Sequence, residues 1–369
     1  MIWEDCNNLQ RLEISSIYDL EPNALPPCFP SHPIYLSNLR ELKIDFVQSH
    51  AARMISCLHA PLQSLTLSFD VFEDTRENIP TLLQHFASTL EDVHLSFAEF
   101  SHEPPYLPIY FPQVHSLELE YSDIPNMEWI IYTFPNITSF RLYNEDGFYD
   151  VGHSRAQNID RACRLEASHH GWEKLEVVSG DLLSLFGAGL SYKVSLMDIG
   201  WVDHPEVTNL CKTVFNDMQP RTLQLIFEEP ALKNNLTEDT KKMLNYPRLN
   251  TLVSRFYSPK DISEIQIQDF IDILIELLRQ TQHLKHFSFY IRCHFLLLRG
   301  DVTLPEPNIL DSIISDSLVD RLLEAIPSLE SIRLGFEDVD PSDPLLLDHN
   351  RTLLDTQLVW KAVSTRDMP

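Results

Sequence analysis

Histidine and cysteine are the side chains best able to hold a metal, and two stretches bring them close in sequence. His283 and His286 are followed by Cys293 and His294, and Cys163 is followed by His169 and His170. A structural zinc site needs four convergent ligands in a closed shell. His286 instead occupies an outward position of an alternating apolar phrase, and His283 lies in the turn before it. The phrase sets their spacing, so no metal is expected at either place. Nucleophilic catalysis needs a nucleophile, a base and an orienting acid in one pocket, and the chain has no Gly-x-Ser-x-Gly elbow. Cys211 falls on an apolar helical stripe, the setting of an inert core thiol. Glu118 and Glu120 form a carboxylate pair on an open strand surface, where such groups stay hydrated and ionised and make poor general acids. Phosphate-cradling loops need glycine, and none of the nine glycines precedes Gly147. Gly187-Ala188-Gly189 lacks both a third glycine and a following Lys-Ser/Thr. No catalytic residue, cofactor or metal is expected, and the chain is read as a non-enzyme.

The elements that carry these residues repeat along the chain. One phrase, apolar–x–x–apolar–x–apolar, recurs twelve times. It reads Leu9-Leu12-Ile14, Leu39-Leu42-Ile44, Leu62-Leu65-Leu67, Leu90-Val93-Leu95, Val114-Leu117-Leu119 and Ile137-Phe140-Leu142. It continues as Trp172-Leu175-Val177, Val194-Met197-Ile199, Pro220-Leu223-Leu225, Leu249-Leu252-Ser254, Leu284-Phe287-Phe289 and Leu329-Ile332-Leu334. The mean step is about 29 residues, within the range of stacked repeat units. Ser254 breaks the third apolar position of its copy. The alternation that closes each phrase predicts a strand. Between phrases, apolar residues at i, i+3, i+4, i+7 predict amphipathic helices. The stripes are Ala51-Met54-Ile55-Leu58, Ile79-Leu82-Leu83-Phe86 and Met127-Ile130-Ile131-Phe134. Later come Val207-Leu210-Cys211-Val214-Phe215-Met218, Phe270-Ile273-Leu274-Leu277-Leu278 and Val319-Leu322-Leu323-Ile326. Pro80 and Pro205 stand near first-turn positions, where a missing N–H costs little.

A single strand–helix unit cannot bury its apolar face, so units must stack, strands beside strands and helices outside. Strands pack closer than helices, and the stack curves with the sheet on its inner side. The predicted fold is therefore an α/β solenoid. Its phrase resembles the leucine-rich repeat. The forms Phe111-Pro112-Gln113-Val114-His115-Ser116-Leu117-Glu118-Leu119, Phe134-Pro135-Asn136-Ile137-Thr138-Ser139-Phe140-Arg141-Leu142 and Ile326-Pro327-Ser328-Leu329-Glu330-Ser331-Ile332-Arg333-Leu334 resemble the leucine-rich-repeat region of fungal F-box-type proteins. That resemblance implies a curved horseshoe of about twelve irregular repeats, concave parallel sheet and convex helices, over residues 1–336. It further implies the substrate-recognition part of an SCF-type ubiquitin ligase. The F-box module itself is not visible, since the first phrase begins at Leu9. A Skp-type adaptor is expected as a partner only if an F-box exists upstream.

Several stretches depart from the regular unit. Prolines crowd residues 20–33 and 104–112 and replace helix with extended chain. Two long units, 143–171 and 295–316, carry insertions of the kind that serve recognition. A helix is predicted near 155–167. Residues 337–369 are expected to form an acidic cap and tail.

Charge and targeting narrow the partners. The chain has 369 residues, 28 Lys and Arg against 54 Asp and Glu, and a net charge of −26. That balance argues against nucleic acid and anionic membrane as partners. The longest apolar run, Ile273 to Leu278, is broken by Glu276 and falls far short of the roughly 20 residues that span a bilayer. The six scattered cysteines read as reduced thiols. With no basic–apolar leader visible at Met1, a cytoplasmic or nuclear place is expected.

Residues just before, between and just after the last two apolar positions of each phrase point out of the sheet. They include Asp92, His94, Glu118, Glu120, Arg141, Tyr143, His286 and Tyr290, and also Lys174, Glu176 and Val178. Acidic groups flanked by an arginine and a tyrosine have the composition of a protein-binding patch. The first eight of these are the candidate partner-binding residues. The expected function is a non-enzymatic protein-interaction scaffold. The alternative is a free-standing acidic solenoid that binds a basic protein with no ligase role.

Overall fold

A computed structural model of the chain describes residues 8–15, 34–69, 79–98, 109–121, 126–144, 155–159, 171–200, 207–228, 244–258, 264–293, 316–338 and 360–362. It is a mixed α/β protein whose strands pair in parallel except for the last, Trp360–Ala362, and its contacts group into two units, Met1–Tyr192 and Lys193–Pro369.

The first unit holds β1 (Arg11–Ile14), β2 (Ile34–Tyr35), β3 (Glu41–Val47), α1 (Ser49–Cys57), β4 (Leu58–His59), β5 (Ser64–Phe69) and α2 (Ile79–Leu83). It continues with β6 (Asp92–Ser96), β7 (Ser116–Glu120), α3 (Met127–Thr133), β8 (Ser139–Tyr143), β9 (Val177–Asp181) and α4 (Leu182–Ala188). The strand order is β1-β3-β5-β6-β7-β8-β9, with β2 and β4 forming a separate small pair. The phrase positions align across the strands. Leu12, Leu42, Leu65, Val93, Leu117 and Phe140 follow one another in register, as do Ile14, Ile44, Leu67, Leu95, Leu119 and Leu142. From β3 to β8 these residues are all buried.

One backbone device locks that register. The carbonyl before a strand accepts two N–H groups from the start of the next strand, using both of its lone pairs. Glu91 O accepts from His115 and Ser116, and His115 O accepts from Thr138 and Ser139. Thr138 O in turn accepts from Glu176 and Val177. Each strand therefore hands its phase to its neighbour.

That handover corrects the seventh phrase. Val177 takes the place of Ser139, so Val178 faces the core and Gly180 pairs with Leu142. The phrase is Leu175-Val178-Gly180, three residues later than expected. Val178 is buried and is not an outward residue. Trp172 fills a further apolar position three residues upstream, equivalent to Phe134, and its indole N–H donates to Phe134 O at 2.7 Å. A large buried indole needs such a partner. Gly180 has φ +156°, and a Cβ there would lie 2.1 Å from Leu142 O, so the close approach of β9 to β8 requires glycine.

The upstream apolar position recurs. Leu36, Phe111, Trp172, Tyr246 and Ile326 each accept a turn-closing hydrogen bond from the first apolar residue of the phrase.

The second unit holds β10 (Leu196–Gly200), α5 (Val207–Met218), β11 (Thr222–Glu228), β12 (Thr251–Ser258), α6 (Glu264–Leu278), β13 (His286–Cys293), α7 (Asp316–Ala325), β14 (Ser331–Asp338) and β15 (Trp360–Ala362). The first five strands pair in parallel order, and β15 pairs antiparallel with β14 through Ile332, Arg333 and Leu334. Ser254 does sit at the third apolar position, fully buried between Leu225 and Phe289 in register.

The helices bury their stripes with two adjustments. α1, α3 and α5 bury the expected residues wherever their side chains are described. α2 is only five residues long, and a 3₁₀ turn, Gln84–Phe86, completes its stripe. In α6 the buried set is Ile271, Leu274, Ile275, Leu277 and Leu278, with Ile273 half-buried. In α7 it is Leu318 and Leu322, continued by Ile326 just beyond the helix, with Val319 and Leu323 half-buried. Both helices carry more apolar residues than one stripe needs, so packing against neighbours selects the buried sector. Residues 155–159 are helical, and the rest of the predicted 155–167 helix lies outside the described residues, as do Pro205 and most of the proline-rich stretches. Among the described residues no helix is long and apolar enough to cross a membrane.

Candidate functional site

Alternation on β6 to β9 turns one set of side chains into the core and the other outward. Register then places the outward set in rows. Asp92 stands beside Ser116, His94 beside Glu118, and Glu118 beside Arg141. Ser96 stands beside Glu120, Glu120 beside Tyr143, and Arg141 beside Ser179. Six expected residues, Asp92, His94, Glu118, Glu120, Arg141 and Tyr143, thus share one face of the first unit.

Their side chains are linked. Arg141 Nη1 donates to Glu118 Oε1 at 2.7 Å, and its Nε donates to Ser179 Oγ at 3.1 Å. His94 Nε2 lies 3.1 Å from Glu120 Oε2, and the Ser96 hydroxyl donates to the same oxygen at 3.2 Å. Asp92 faces the His115 ring, with Oδ1 3.6 Å from Nδ1. Glu118 and Arg141 are about four-fifths covered, with side-chain exposures of 22% and 21%. Charges this enclosed interact more strongly than fully hydrated ones.

The titrations follow from burial and pairing. Burial pulls the His94 imidazole down, but the hydrogen bond to Glu120 and the charges of Glu118 and Glu120 outweigh it. Its pKa stands above the ordinary 6.5. Burial pushes Glu120 up, yet the bond and charge of His94, with hydrogen bonds to Glu118 and Ser96, bring it below the ordinary 4.5. Asp92 is raised, chiefly by burial, with Glu91 adding and His115 opposing. In the core, burial pushes the Cys211 thiol far up, as expected of an inert thiol.

His94, Glu118 and Glu120 each offer a ligand atom, and these atoms lie within 4.8 Å of one another. The trio could hold a divalent cation. Its geometry already serves another purpose, since Arg141 neutralises Glu118 and His94 hydrogen-bonds Glu120. The metal-like spacings noted at His283 and His286 bring no comparable trio among the described residues, and Cys163, His169, His170 and His294 lie outside them.

The structure adds further groups to the site. Ser96 and Ser179 are buried polar anchors of the rows. Asp181 caps α4 by accepting from Ser184 N at 2.8 Å and ties β8 by accepting from Asn144 N at 2.7 Å. Phe97 and Tyr121 follow the outward Ser96 and Glu120. They adopt φ of 56° and 48°, uncommon for bulky side chains. Their rings stack at 4.8 Å and 9°. The neighbouring strand holds them there, through Phe97 N–H to Glu120 O and Tyr121 N–H to Tyr143 O. The sequence signal is an aromatic two residues after the last apolar position.

His286 and Tyr290 lie on β13 in the second unit. His286 Nδ1 is 2.9 Å from Ser331 Oγ, and Tyr290 is in register with Arg255. Compared with protein-family models and with curated proteins, the chain matches none.

Proposed function

We propose that this chain is a non-enzymatic protein-interaction scaffold, a curved leucine-rich-repeat solenoid over residues 1–336 with an acidic cap and tail at 337–369. The observation that carries this reading is the row Asp92, His94, Glu118, Glu120, Arg141 and Tyr143 on one sheet face, in which Arg141 already holds Glu118 and His94 already holds Glu120. Side chains already held by neighbours lose little further freedom when a partner docks. Arginine and tyrosine are also the residue types that most often dominate binding energy. The resemblance to fungal F-box-type repeats supports the finer reading, in which this face holds the target of an SCF-type ubiquitin ligase. An F-box supplied upstream would then dock the Skp-type adaptor. The net charge of −26 and the carboxylates of the row favour a second reading, a free-standing acidic scaffold that binds a basic protein.

Affinity capture followed by mass spectrometry tests the proposal, using the full gene product and its E118Q/R141Q variant. The expected result is a target protein captured by the wild type and lost in the variant. An adaptor retained by both supports the ligase reading, and a basic protein captured without any adaptor supports the second. Identical captures from wild type and variant would remove the row from the binding surface.

A further inference from the structure

We infer that the outward strip of β5 in the first unit is the floor of a trough that takes a basic, extended segment of a partner protein. The inference rests on the reading of the chain as a protein-binding scaffold and names the chemistry of one partner. Register sets out the trough. Glu41, Ser64 and Asp92 stand side by side on β3, β5 and β6, as do Lys43, Thr66 and His94. Ser68 stands beside Ser96, and Asp45 follows Ile44, the partner of Leu67. The outward side chains of β5 are therefore Ser64, Thr66 and Ser68, all short, set between the longer Glu41 and Lys43 of β3 and Asp92 and His94 of β6. Those longer side chains lean away from the floor. Glu41 Oε2 lies 3.7 Å from Arg11 Nε, and Lys43 Nζ lies 2.9 Å from Glu13 Oε1, both partners being on β1. On the other wall His94 turns to Glu120, and Asp92 turns to His115 beside β7.

Size and charge select the occupant. β3 and β6 stand two strand spacings apart, about 10 Å between their axes. That leaves room for one extended chain and not for an α-helix, whose side chains give it a diameter of about 10–12 Å. From Ser64 to Ser68 the floor runs about 13 Å, so roughly five residues of the partner lie along it. The charged side chains that β3 and β6 present outward are Glu41, Asp45 and Asp92 against Lys43, with His94 engaged by Glu120. Glu41 and Asp92, on opposite walls, keep 55% and 51% of their side chains exposed. The Lys43 ammonium is drawn to Glu13, with Asp45 3.9 Å away. A guanidinium or ammonium entering the trough meets carboxylates on both sides, whereas an acidic segment or a nucleic acid meets like charge. Two phenylalanines stand at the far end of the walls. Phe46 of β3 and Phe97, just after β6, have φ of 60° and 56°. At Phe46 the pairing passes from Ile44–Leu67 to Val47–Phe69, a bulge of the kind that re-aims a side chain, and the residue is 38% exposed. Aromatic rings there suit the apolar stems and cationic heads of arginine and lysine.

The test is fluorescence anisotropy on the full chain at about 150 mM salt, where screening beyond about 8 Å mutes the overall negative charge. The probe is a labelled peptide of alternating arginine and serine, with an alternating glutamine–serine peptide as control. The arginine peptide should bind and the glutamine peptide should not. E41Q/D45N removes two charges from one wall and should weaken binding about tenfold or more, a loss of about 1.4 kcal/mol. D320N/E324Q removes two charges from α7 in the second unit and should bind within about twofold of the wild type. T66W fills the floor without changing the charge and should also weaken binding about tenfold or more. Equal binding of the two peptides, equal affinities of E41Q/D45N and D320N/E324Q, or full affinity in T66W would each overturn the inference. Where T66W misfolds, the two isosteric carboxylate variants decide the matter. The affinity capture above reads Glu118 and Arg141, which lie outside the trough, so a scaffold whose trough binds nothing is told apart from a chain that binds no partner.

Discussion

At the scale of single residues, the His94–Glu120 pair makes a pH-dependent contribution whose sign can be worked out. The folded pKa of His94 lies above 6.5, so its contribution is complete below 6.5 and is lost as pH rises through the raised value. The folded pKa of Glu120 lies below 4.5, so its contribution is complete above 4.5 and is lost as pH falls through the lowered value. Both are in full effect between those two ordinary values. Urea unfolding of the wild type minus H94Q should show a difference largest near pH 6 and shrinking toward pH 8.5. Parallel stability curves over that range would show that the pair is not formed. Ser254 gives a second residue-scale expectation. Its hydroxyl is buried without a hydrogen-bond partner among the described residues, at a position built for an apolar side chain. Unpartnered buried polar groups cost about 1–3 kcal/mol. S254A should therefore stabilise by about 1 kcal/mol and raise the melting temperature. A lower melting temperature would mean that the hydroxyl is satisfied.

At the scale of elements, β9 is the informative strand. Its alternation, Val178 and Gly180 inward with Ser179 outward, is set by the two N–H groups that Thr138 O receives. That phase brings Ser179 to Arg141 and so completes the hold on Glu118. Gly180→Ala would place a methyl against Leu142 O at a backbone angle that L-residues rarely adopt. It should destabilise by more than about 1 kcal/mol. A lower denaturant midpoint with unchanged slope is the expected readout, and an unchanged midpoint would show that β9 can move away from β8 without loss. In α6 and α7 the apolar residues exceed one stripe. The i, i+3, i+4 pattern located these helices and the buried Leu274, Leu277, Leu278, Leu322 and Ile326, but not the edges of the buried sector, where Ile271, Ile275 and Leu318 are buried and Ile273, Val319 and Leu323 are half-buried.

At the scale of the whole molecule, protection should be uneven along the first unit. Leu12 and Ile14 of β1 are half-buried, while Leu42 and Ile44, their register partners on β3, are 2% and 0% exposed. Among the described residues β1 pairs with β3 alone. Strands with less burial open at lower free energy. Hydrogen exchange should therefore be faster for the β1 amides than for those of β5 to β8. Equal protection would show that β1 is covered on its outer side.

Period and alternation belong to the sequence by itself. A strand must turn every second residue inward, and a helix must gather its apolar residues every three or four. Leu-x-x-Leu-x-Leu therefore located β3, β5, β6, β7 and β8, and with them Asp92, His94, Glu118, Glu120, Arg141 and Tyr143 on one face. Phase and partnership were decided by tertiary structure. Residues 172–180 hold apolar side chains at 172, 175, 177 and 178, which fit more than one alternation. Only the carbonyl of Thr138 and the close approach of Gly180 to Leu142 select the one that forms. The same holds for the rows, since Arg141 meets Glu118 and Ser179 across strands 23 and 38 residues away. Such pairs exist once neighbouring strands share a register, and that register is set by backbone hydrogen bonds between successive strands rather than by any pattern within one.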